Sequence, residues 1–555
     1  MIVKMTTNKN FQPTSDEYDL NASFFEWLFE SNNIKLYYEK DPVPLVDKPL
    51  IYYPQELKNF FETFPMQRLK RILQLSKYVD NNSNALHTRY EHSIGVYNLK
   101  KNLILQHFLN NPDFKKYVEE NDLKLNLIAE LIKSAGHDIG HLPLSHTLEL
   151  SVIKKPGFHE EIGKRILLEN KQIYSCLHEI SPQLPKALKD TLEHDIFGFE
   201  LLDEGNYDID RFDYLYRDLA FNGYPMSKNF EPFKLLMVKS QNQTPQKDKF
   251  NRIIVSNKMD KNSMFIPVFD IDSIDSIEEF LNSRIKAYKD SYNHPMTAIQ
   301  SQTVSIVLNK TLESNEPYGV NLQNFLISLK AIQSSKYVNL DEWLSWNDLN
   351  FYNELLDIAE FSENKTLQKA VIFIIPGLEQ LFDMSAKMLG LKNIQGSLSM
   401  GDKKFLKRLH RYLHEKNEFT AALSDFNYWD KCIKYTSDPQ KIKKLSTHTE
   451  LPVEFYHHNL VGYNPKEPIF FQTKNGDIFT YDTIPERVQK VSSTPISINT
   501  AFCFLPFLNE EKQHSTNLNS TLNENKQNSF GRPYFNRPSP AVMYIEKALN
   551  DSEER

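Results

Sequence analysis

The stretch SAGHDIGHLPLSH, residues 134–146, decides how the rest of the chain is read. It closes NDLKLNLIAELIKSAG, residues 121–136, in which Leu123, Leu127, Ile128, Leu131 and Ile132 recur at helical spacing, so a helix with one apolar face is predicted to end near Ala135. That end delivers His137 and Asp138 in succession, and Gly140 and Pro143 then prevent a regular helix from continuing. Consecutive residues inside a helix diverge by about 100°, so a His–Asp pair converges on one ion only at an irregular or terminal turn. This sequence supplies such a turn. A capped helix end with solvated polar groups is the bland alternative, and four polar residues interleaved with two breakers weigh against it.

Two other stretches join it. In HTRYEHSIGV, residues 87–96, His92 opens a stripe with Val96, Leu99 and Leu103, which turns it toward the interior. Taken alone, a hydrogen-bonded core imidazole is the commoner reading of such a histidine. In NYDIDRFDYLYRDLAFNG, residues 206–223, Asp210, Tyr214 and Asp218 share one helical face while Phe212, Leu215 and Leu219 form another. In isolation a solvent face with Asp213 and Arg217 paired on it explains that spacing. Together the three stretches offer His92, His137, Asp138 and Asp210, two imidazoles and two carboxylates. Such a mixed N/O set with open positions suits iron, manganese or zinc acting on phosphate.

The remainder of the chain sets limits. Its 555 residues argue for about three or four units. With 40% apolar and 25% charged residues it reads as globular, and a net charge of -7 gives no overall pull toward nucleic acid or anionic membrane, so neither is expected as a main partner. Three scattered cysteines, Cys176, Cys432 and Cys503, support neither a disulfide framework nor a cysteine zinc site, and the first 20 residues lack an apolar leader core. A reducing, cytoplasmic location is expected. No GxxxxGK[ST] or GxGxxG occurs, so a phosphate site needs metal and basic side chains.

The first 440 residues read as mainly α, whereas EPIFFQTKNGDIFTYD, residues 467–482, sets two β-prone runs around Asn475-Gly476 and predicts a hairpin. The expected architecture is mainly α: an N-terminal extension over 1–50, a helical core over 51–300, a helical extension over 301–450, a small C-terminal α+β lobe over 451–508, and a flexible polar tail over 509–555 with a short helix docking at Val542 to Leu549. FHEEIGK, residues 158–164, is no HExxH zinc helix, because Gly163 stands where the second histidine belongs. His194-Asp195 is assigned to structure, and KKFLKRLHRYLHEK, residues 403–416, to an amphipathic surface helix through Leu406, Leu409 and Leu413.

HD followed by GHxPxSH, preceded by RxEH and followed by DxDxxDYxxRD, resembles the HD-domain deoxynucleoside triphosphate triphosphohydrolases, in pattern most similar to the SAM-and-HD-domain branch without its SAM domain. The resemblance covers roughly Glu62 to Pro295 and, more faintly, the C-terminal lobe. It implies a helical HD phosphohydrolase core and puts the family's metal ligands on the same four residues. It further implies a substrate cradle: Gln74 and Leu75 at the sugar, Arg89, Arg211 and Arg284 at the phosphates, and Tyr214, Asp218 and Tyr292 around the deoxyribose. His141, His146 and His159 match the catalytic histidines, with Glu149 where that branch has Asp and Arg211 where it has Lys.

The activity so implied is metal-dependent hydrolysis of a dNTP at the α-phosphorus to deoxynucleoside and triphosphate, with Mg accompanying the triphosphate. His146 or His159 would protonate the departing 5′-oxygen or steer the water. Discrimination against ribonucleotides falls to Tyr292 and Leu75, packed on the 2′ carbon. Homo-oligomers activated by GTP or dNTP are implied as well; Glu62, Gln67 and Lys70 partly match one such regulatory region, whereas LVDKPLIYYPQEL, residues 45–57, lacks its Asp-Pro-x-His-Gly feature. Two rival readings use the same pocket: an HD phosphodiesterase or nuclease acting on cyclic nucleotides, alarmones or single-stranded nucleic acid, and a nucleotide sensor without turnover. The biological setting implied is pool control or starvation of an invading replicon.

Overall fold

The computed structural model describes residues 15–42, 50–75, 85–221, 235–239, 265–288, 292, 295–314, 316–332, 338–375, 378–389, 400–414, 433–436, 456–460, 463–464, 466–475, 477–488, 491 and 496–504. Its centre is the 22-residue helix Arg89–Asn110, started by a reciprocal cap in which Thr88 N donates to Glu91 Oε2 at 2.6 Å and Glu91 N donates to Thr88 Oγ1 at 3.4 Å. The predicted stripe His92, Val96, Leu99 and Leu103 is buried along it. The helix Lys124–Gly136 packs on one flank and Ile209–Phe221 on another, each through the apolar face its spacing predicted. The mainly-α expectation therefore holds. Beneath these helices Lys100 and Lys133 share the Asp203 carboxylate at 2.6 and 2.8 Å, so the ammonium groups pinned between helices are paired rather than bare.

Within the N-terminal extension, the described residues from 15 onward are packed on the core. The helix Ser15–Phe29 sinks Phe24, Phe25 and Leu28 into the same core, and an antiparallel pair, Leu36–Lys40 with Leu50–Pro54, lays Tyr52 and Tyr53 on it with Leu36 opposite Pro54. The later helices Pro295–Glu313, Val320–Ala331, Leu340–Ser345 and Asp348–Phe361 continue that core and cover the turn that follows the HD pair. The helix Met400–His414 is amphipathic as expected, with Leu406 and Leu409 buried alongside Phe405 and Tyr412. Asp195 takes the structural role assigned to it: its carboxylate accepts from the amides of Phe199 at 2.8 Å and Glu200 at 3.3 Å.

The predicted hairpin forms, Phe470–Gln472 against Ile478–Thr480 with Phe470 opposite Thr480; Gly476 itself lies outside the described residues. Its setting differs from the expectation. Phe265–Asp270, from the span read as helical core, pairs parallel to Phe470–Gln472 and antiparallel to Leu235–Lys239, completing a four-stranded sheet. An isolated hairpin is marginal in water, and recruiting this strand helps to bury Phe470 and Phe471. A second sheet centres Ile496–Phe504 between Ile433–Thr436 and Tyr456–Leu460, all antiparallel, so strands of this lobe start before residue 451. The tail expected over 509–555 lies outside the described residues. Among the described residues no helix is long and apolar enough to cross a membrane.

Candidate metal centre

Three helices bring the sequence-predicted quartet together. His92 comes from Arg89–Asn110, His137 and Asp138 from the end of Lys124–Gly136, and Asp210 from the first turn of Ile209–Phe221. His92 Nδ1 meets Asp213 Oδ2 at 2.8 Å and His137 Nδ1 meets the Ser134 carbonyl at 2.9 Å. Both partners are acceptors, so Nδ1 carries a proton on each ring, and once any second proton is displaced each Nε2 offers a lone pair to a metal. Those two Nε2 atoms face each other at 3.1 Å, with Asp210 Oδ1 2.8 and 3.3 Å from them and the Asp138 oxygens 3.6 and 3.5 Å away. Lone pairs and carboxylate oxygens this close repel unless a cation lies among them. For ligand bonds of about 2.1 Å, neighbouring donors in a tetrahedral or octahedral shell lie about 3.0–3.4 Å apart. The four residues fit a divalent metal ion.

The electrostatics give the same answer. Burial opposes a charged ring at His92, but hydrogen bonds to Asp210 and Asp213 and the charge of Asp138 outweigh it and lift the metal-free ring from 6.5 to about 10. His137 is raised too, against burial, by Asp138 and Asp210. Metal binding must displace those protons. Apparent metal affinity is expected to rise about tenfold per pH unit for each proton released between pH 6.5 and 9. In the metal-free fold the raised His92 pKa contributes stability that is fully present below about 6.5 and lost as the pH rises through about 10, so the gap in stability between metal-loaded and metal-free protein widens over that window. Chelator competition and thermal melts at stepped pH check both, and affinity flat with pH contradicts them.

Beside the quartet lies a histidine trio. His141 and His159 rings stack at 3.8 Å, and His146 stands edge-on to each at 4.9 Å. His159 reaches this place because Gly140 lets two backbones touch: a Cβ on Gly140 would lie 2.0 Å from the His159 carbonyl oxygen and 2.6 Å from the Gly163 nitrogen. Glu149 is buried and accepts from His146 Nδ1 at 3.3 Å, from His159 Nδ1 at 3.2 Å and from the His159 amide at 2.9 Å. Burial works against its charge, but these donors hold the carboxyl at about 2. One carboxylate thereby orients both rings and leaves their Nε2 atoms free to face a substrate. His141 stays neutral, held well below 6.5 by burial and by the charges of Arg89 and His159, and it meets Asp138 at 3.2 Å.

No protein-family model matches the chain. A putative HD domain-containing protein of Acanthamoeba polyphaga mimivirus is 31% identical over 258 residues, 43% of this chain and 50% of that protein. The deoxynucleoside triphosphate triphosphohydrolase SAMHD1 homolog of Dictyostelium discoideum is 28% identical over 181 residues, 31% of this chain and 32% of that protein. The chain thus spans about a third to a half of the length of these relatives. A solved phosphohydrolase from Bacteroides thetaiotaomicron shares the fold with a TM-score of 0.51 at 16% identity, over 85% of this chain and 100% of that one. The chain therefore shares the fold of that solved phosphohydrolase and sequence similarity with an HD domain-containing protein over part of its length.

The remaining candidate residues are placed unequally. Asp218 accepts from Tyr292 through its hydroxyl and meets His87 Nε2 at 2.5 Å, and Tyr214 packs between the Tyr292 ring at 6.2 Å and the His92 ring at 6.4 Å. The rings of His87, Tyr214 and Tyr292 and one carboxylate form a wall next to the metal quartet. Gln74 is fixed by its amide to the His87 carbonyl at 3.0 Å and is half-buried, as is Leu75. Arg89 is buried, donating to Asp138 at 2.5 Å and Ser145 Oγ at 2.8 Å, so in this state it braces a metal ligand. Arg211 is engaged by Asp208 at 3.1 Å and the Gly205 carbonyl, and Arg284 lies 5.9 Å from the Tyr288 ring. Among the described residues no hydrogen bond or ion pair joins either arginine to the quartet.

Several functional positions escaped the sequence reading. The Asp213–Arg217 pair exists, but both side chains are buried, and the solvent-face reading fails because Asp213 turns inward to His92 and Arg217 to Asp41. His87, in HTRYEH itself, carries no spacing signal that separates it from a turn residue. Its ring lies flat on Phe221 at 4.5 Å.

Proposed function

We propose that this chain is a metal-dependent phosphohydrolase that converts deoxynucleoside triphosphates to deoxynucleoside and triphosphate. The observation that carries the reading is the adjacency of three groups: the His92–His137–Asp138–Asp210 donor set, the His146/His159 pair on Glu149, and the Asp218–Tyr292–Tyr214 wall. A bound divalent ion, iron, manganese or zinc, supplies Lewis-acid polarisation of a phosphoryl oxygen and a nucleophilic water at neutral pH. The chain's own residues do the rest. Glu149 accepts from Nδ1 of His146 and His159 and so stabilises either ring as an imidazolium, whose Nε2–H proton passes to the departing 5′-oxygen, leaving the neutral ring with its remaining proton on Nδ1. Asp218 and Tyr292 offer an acceptor and an aromatic face to the sugar, and the closeness of that face discriminates against a 2′-hydroxyl. Arg284 and Arg211 serve the β- and γ-phosphates with Mg after a shift of side chains.

The name of the Dictyostelium relative supports the substrate class. Homo-oligomer formation under GTP or dNTP belongs to the same proposal. The test is chromatographic product analysis across the four dNTPs, alone and in pairs and with GTP, beside rNTPs, cyclic nucleotides and single-stranded oligonucleotides. Tripolyphosphate from dNTPs is the expected product. Cleavage confined to oligonucleotides or cyclic nucleotides would replace this reading with the phosphodiesterase one.

A further inference from the structure

The segment that carries His141 and His146 is gripped from one side by a remote stretch, residues 343–348, and from the other by Arg68 and Arg89. Trp343 Nε1 donates to the Gly140 carbonyl at 2.9 Å. Asp348, the first residue of the helix Asp348–Phe361, is buried and accepts from the Leu144 amide at 3.0 Å with one oxygen and from the Leu73 amide at 2.7 Å with the other. Arg68 closes the frame, donating to the carbonyls of Trp346 at 2.8 Å, Ile139 at 3.3 Å and His141 at 2.5 Å. The turn so gripped is unfavourable by itself. Leu144 and Ser145 have φ of 55° and 46°, a left-handed backbone that side-chain-bearing residues adopt only when their surroundings impose it. His146 follows directly. The other amide, Leu73, immediately precedes Gln74 and Leu75 and bridges Thr88 at the start of the His92 helix.

We infer that Asp348 is a positioning residue that locks the His141–His146 turn and the Gln74–Leu75 segment into one rigid unit, so that the two sides of the pocket keep a fixed separation. The reason is chemical. A carboxylate has two oxygens and no proton to donate, so it can satisfy two backbone amides from segments 71 residues apart, and no neutral side chain of that size can do the same. A buried amide that loses its acceptor is costly and re-pairs by moving the backbone. Misplacing a catalytic group by a fraction of an ångström to one ångström lowers turnover far more than binding. Among the described residues no hydrogen bond joins Asp348 to the metal quartet; its carboxylate is taken up by the Leu73 and Leu144 amides. The inference rests on the pocket being a phosphohydrolase centre, not on which nucleotide it takes.

Asp348→Asn keeps the shape and one acceptor, and Asp348→Ala removes both. In the metal-loaded full chain, hydrogen–deuterium exchange is expected to accelerate at least tenfold in the peptides holding Leu73 and Leu144 for the Ala variant, and in one of the two for the Asn variant. For both, kcat is expected to fall at least tenfold with metal stoichiometry as in wild type and KM within threefold. The dNTP that wild type cleaves best serves as substrate. If wild type releases no tripolyphosphate, the dNTP reading fails on its own, and bis(4-nitrophenyl) phosphate replaces it in the comparison. Turnover per metal-loaded molecule equal to wild type in the Asn variant overturns the inference, as does faster exchange confined to residues 348–361, even if the melting temperature drops.

Discussion

Asp210→Ala protein is expected to purify folded but without its stoichiometric metal, and to have lost turnover on the order of 10³-fold, since Lewis-acid catalysis supplies several kcal/mol and each 1.4 kcal/mol is a factor of ten. Asp210 is the best of the four ligands for this test because its side chain is 39% exposed, so truncation opens no cavity in the core. Its Oδ1 is the oxygen nearest both imidazole Nε2 atoms. Without it the site keeps two nitrogens and one carboxylate already shared with Arg89 and His141. Asp213→Asn provides the graded control. It leaves the four ligands in place but weakens the acceptor that fixes the His92 tautomer, and such a change costs about 10- to 100-fold in metal affinity. Elemental analysis with steady-state rates at saturating metal separates the two. Should Asp210→Ala bind one ion and turn over like wild type, the quartet is not the centre.

The four donors were legible because each lies in a short polar cluster whose periodicity fixes its direction. His92 heads an inward stripe, His137 and Asp138 sit where a helix must stop, and Asp210 begins a helical face. What stayed hidden is of another kind. Asp348 lies more than 200 residues from the turn it holds, in a helix start that spacing reads as an ordinary capped end, with Asn347 accepting from the Leu349 amide at 3.1 Å. Only tertiary packing turns its carboxylate toward Leu73 and Leu144. The strand Phe265–Asp270 was missed for a similar reason: nothing local says that a six-residue run will pair with a hairpin 200 residues later. Arg89 shows the converse. Its motif match made it a phosphate contact, whereas its burial and its bonds to Asp138 and Ser145 make it first a brace for the site.

Arg217 is a fully buried charge, and a single change there is expected to cost heavily in stability. Its guanidinium is 1% exposed and lies between two buried carboxylates, donating to Asp213 at 2.9 and 2.8 Å and to Asp41 at 2.8 and 3.3 Å. Burial pushes the Asp213 carboxyl up, but Arg217 and His92 hold it below 3.8, so it is a charge at neutral pH. Arg217→Met keeps the volume and deletes the cation, leaving two negative charges in the interior. Breaking a buried ion pair from one side costs about 3–5 kcal/mol, a large share of the stability of an ordinary domain. Because replacing a whole buried cluster with neutral groups is commonly near neutral, the triple variant Asp41→Asn, Asp213→Asn, Arg217→Met should recover more than half of that loss. It should still bind metal about 10- to 100-fold more weakly, since a neutral amide at position 213 no longer grips the His92 ring as the carboxylate does. Chemical denaturation and metal titration on the same samples therefore part company: stability returns while affinity does not. If both return together, Asp213 serves only to balance Arg217, and the chain of bonds from Asp41 through Arg217 and Asp213 to His92 carries no information to the metal.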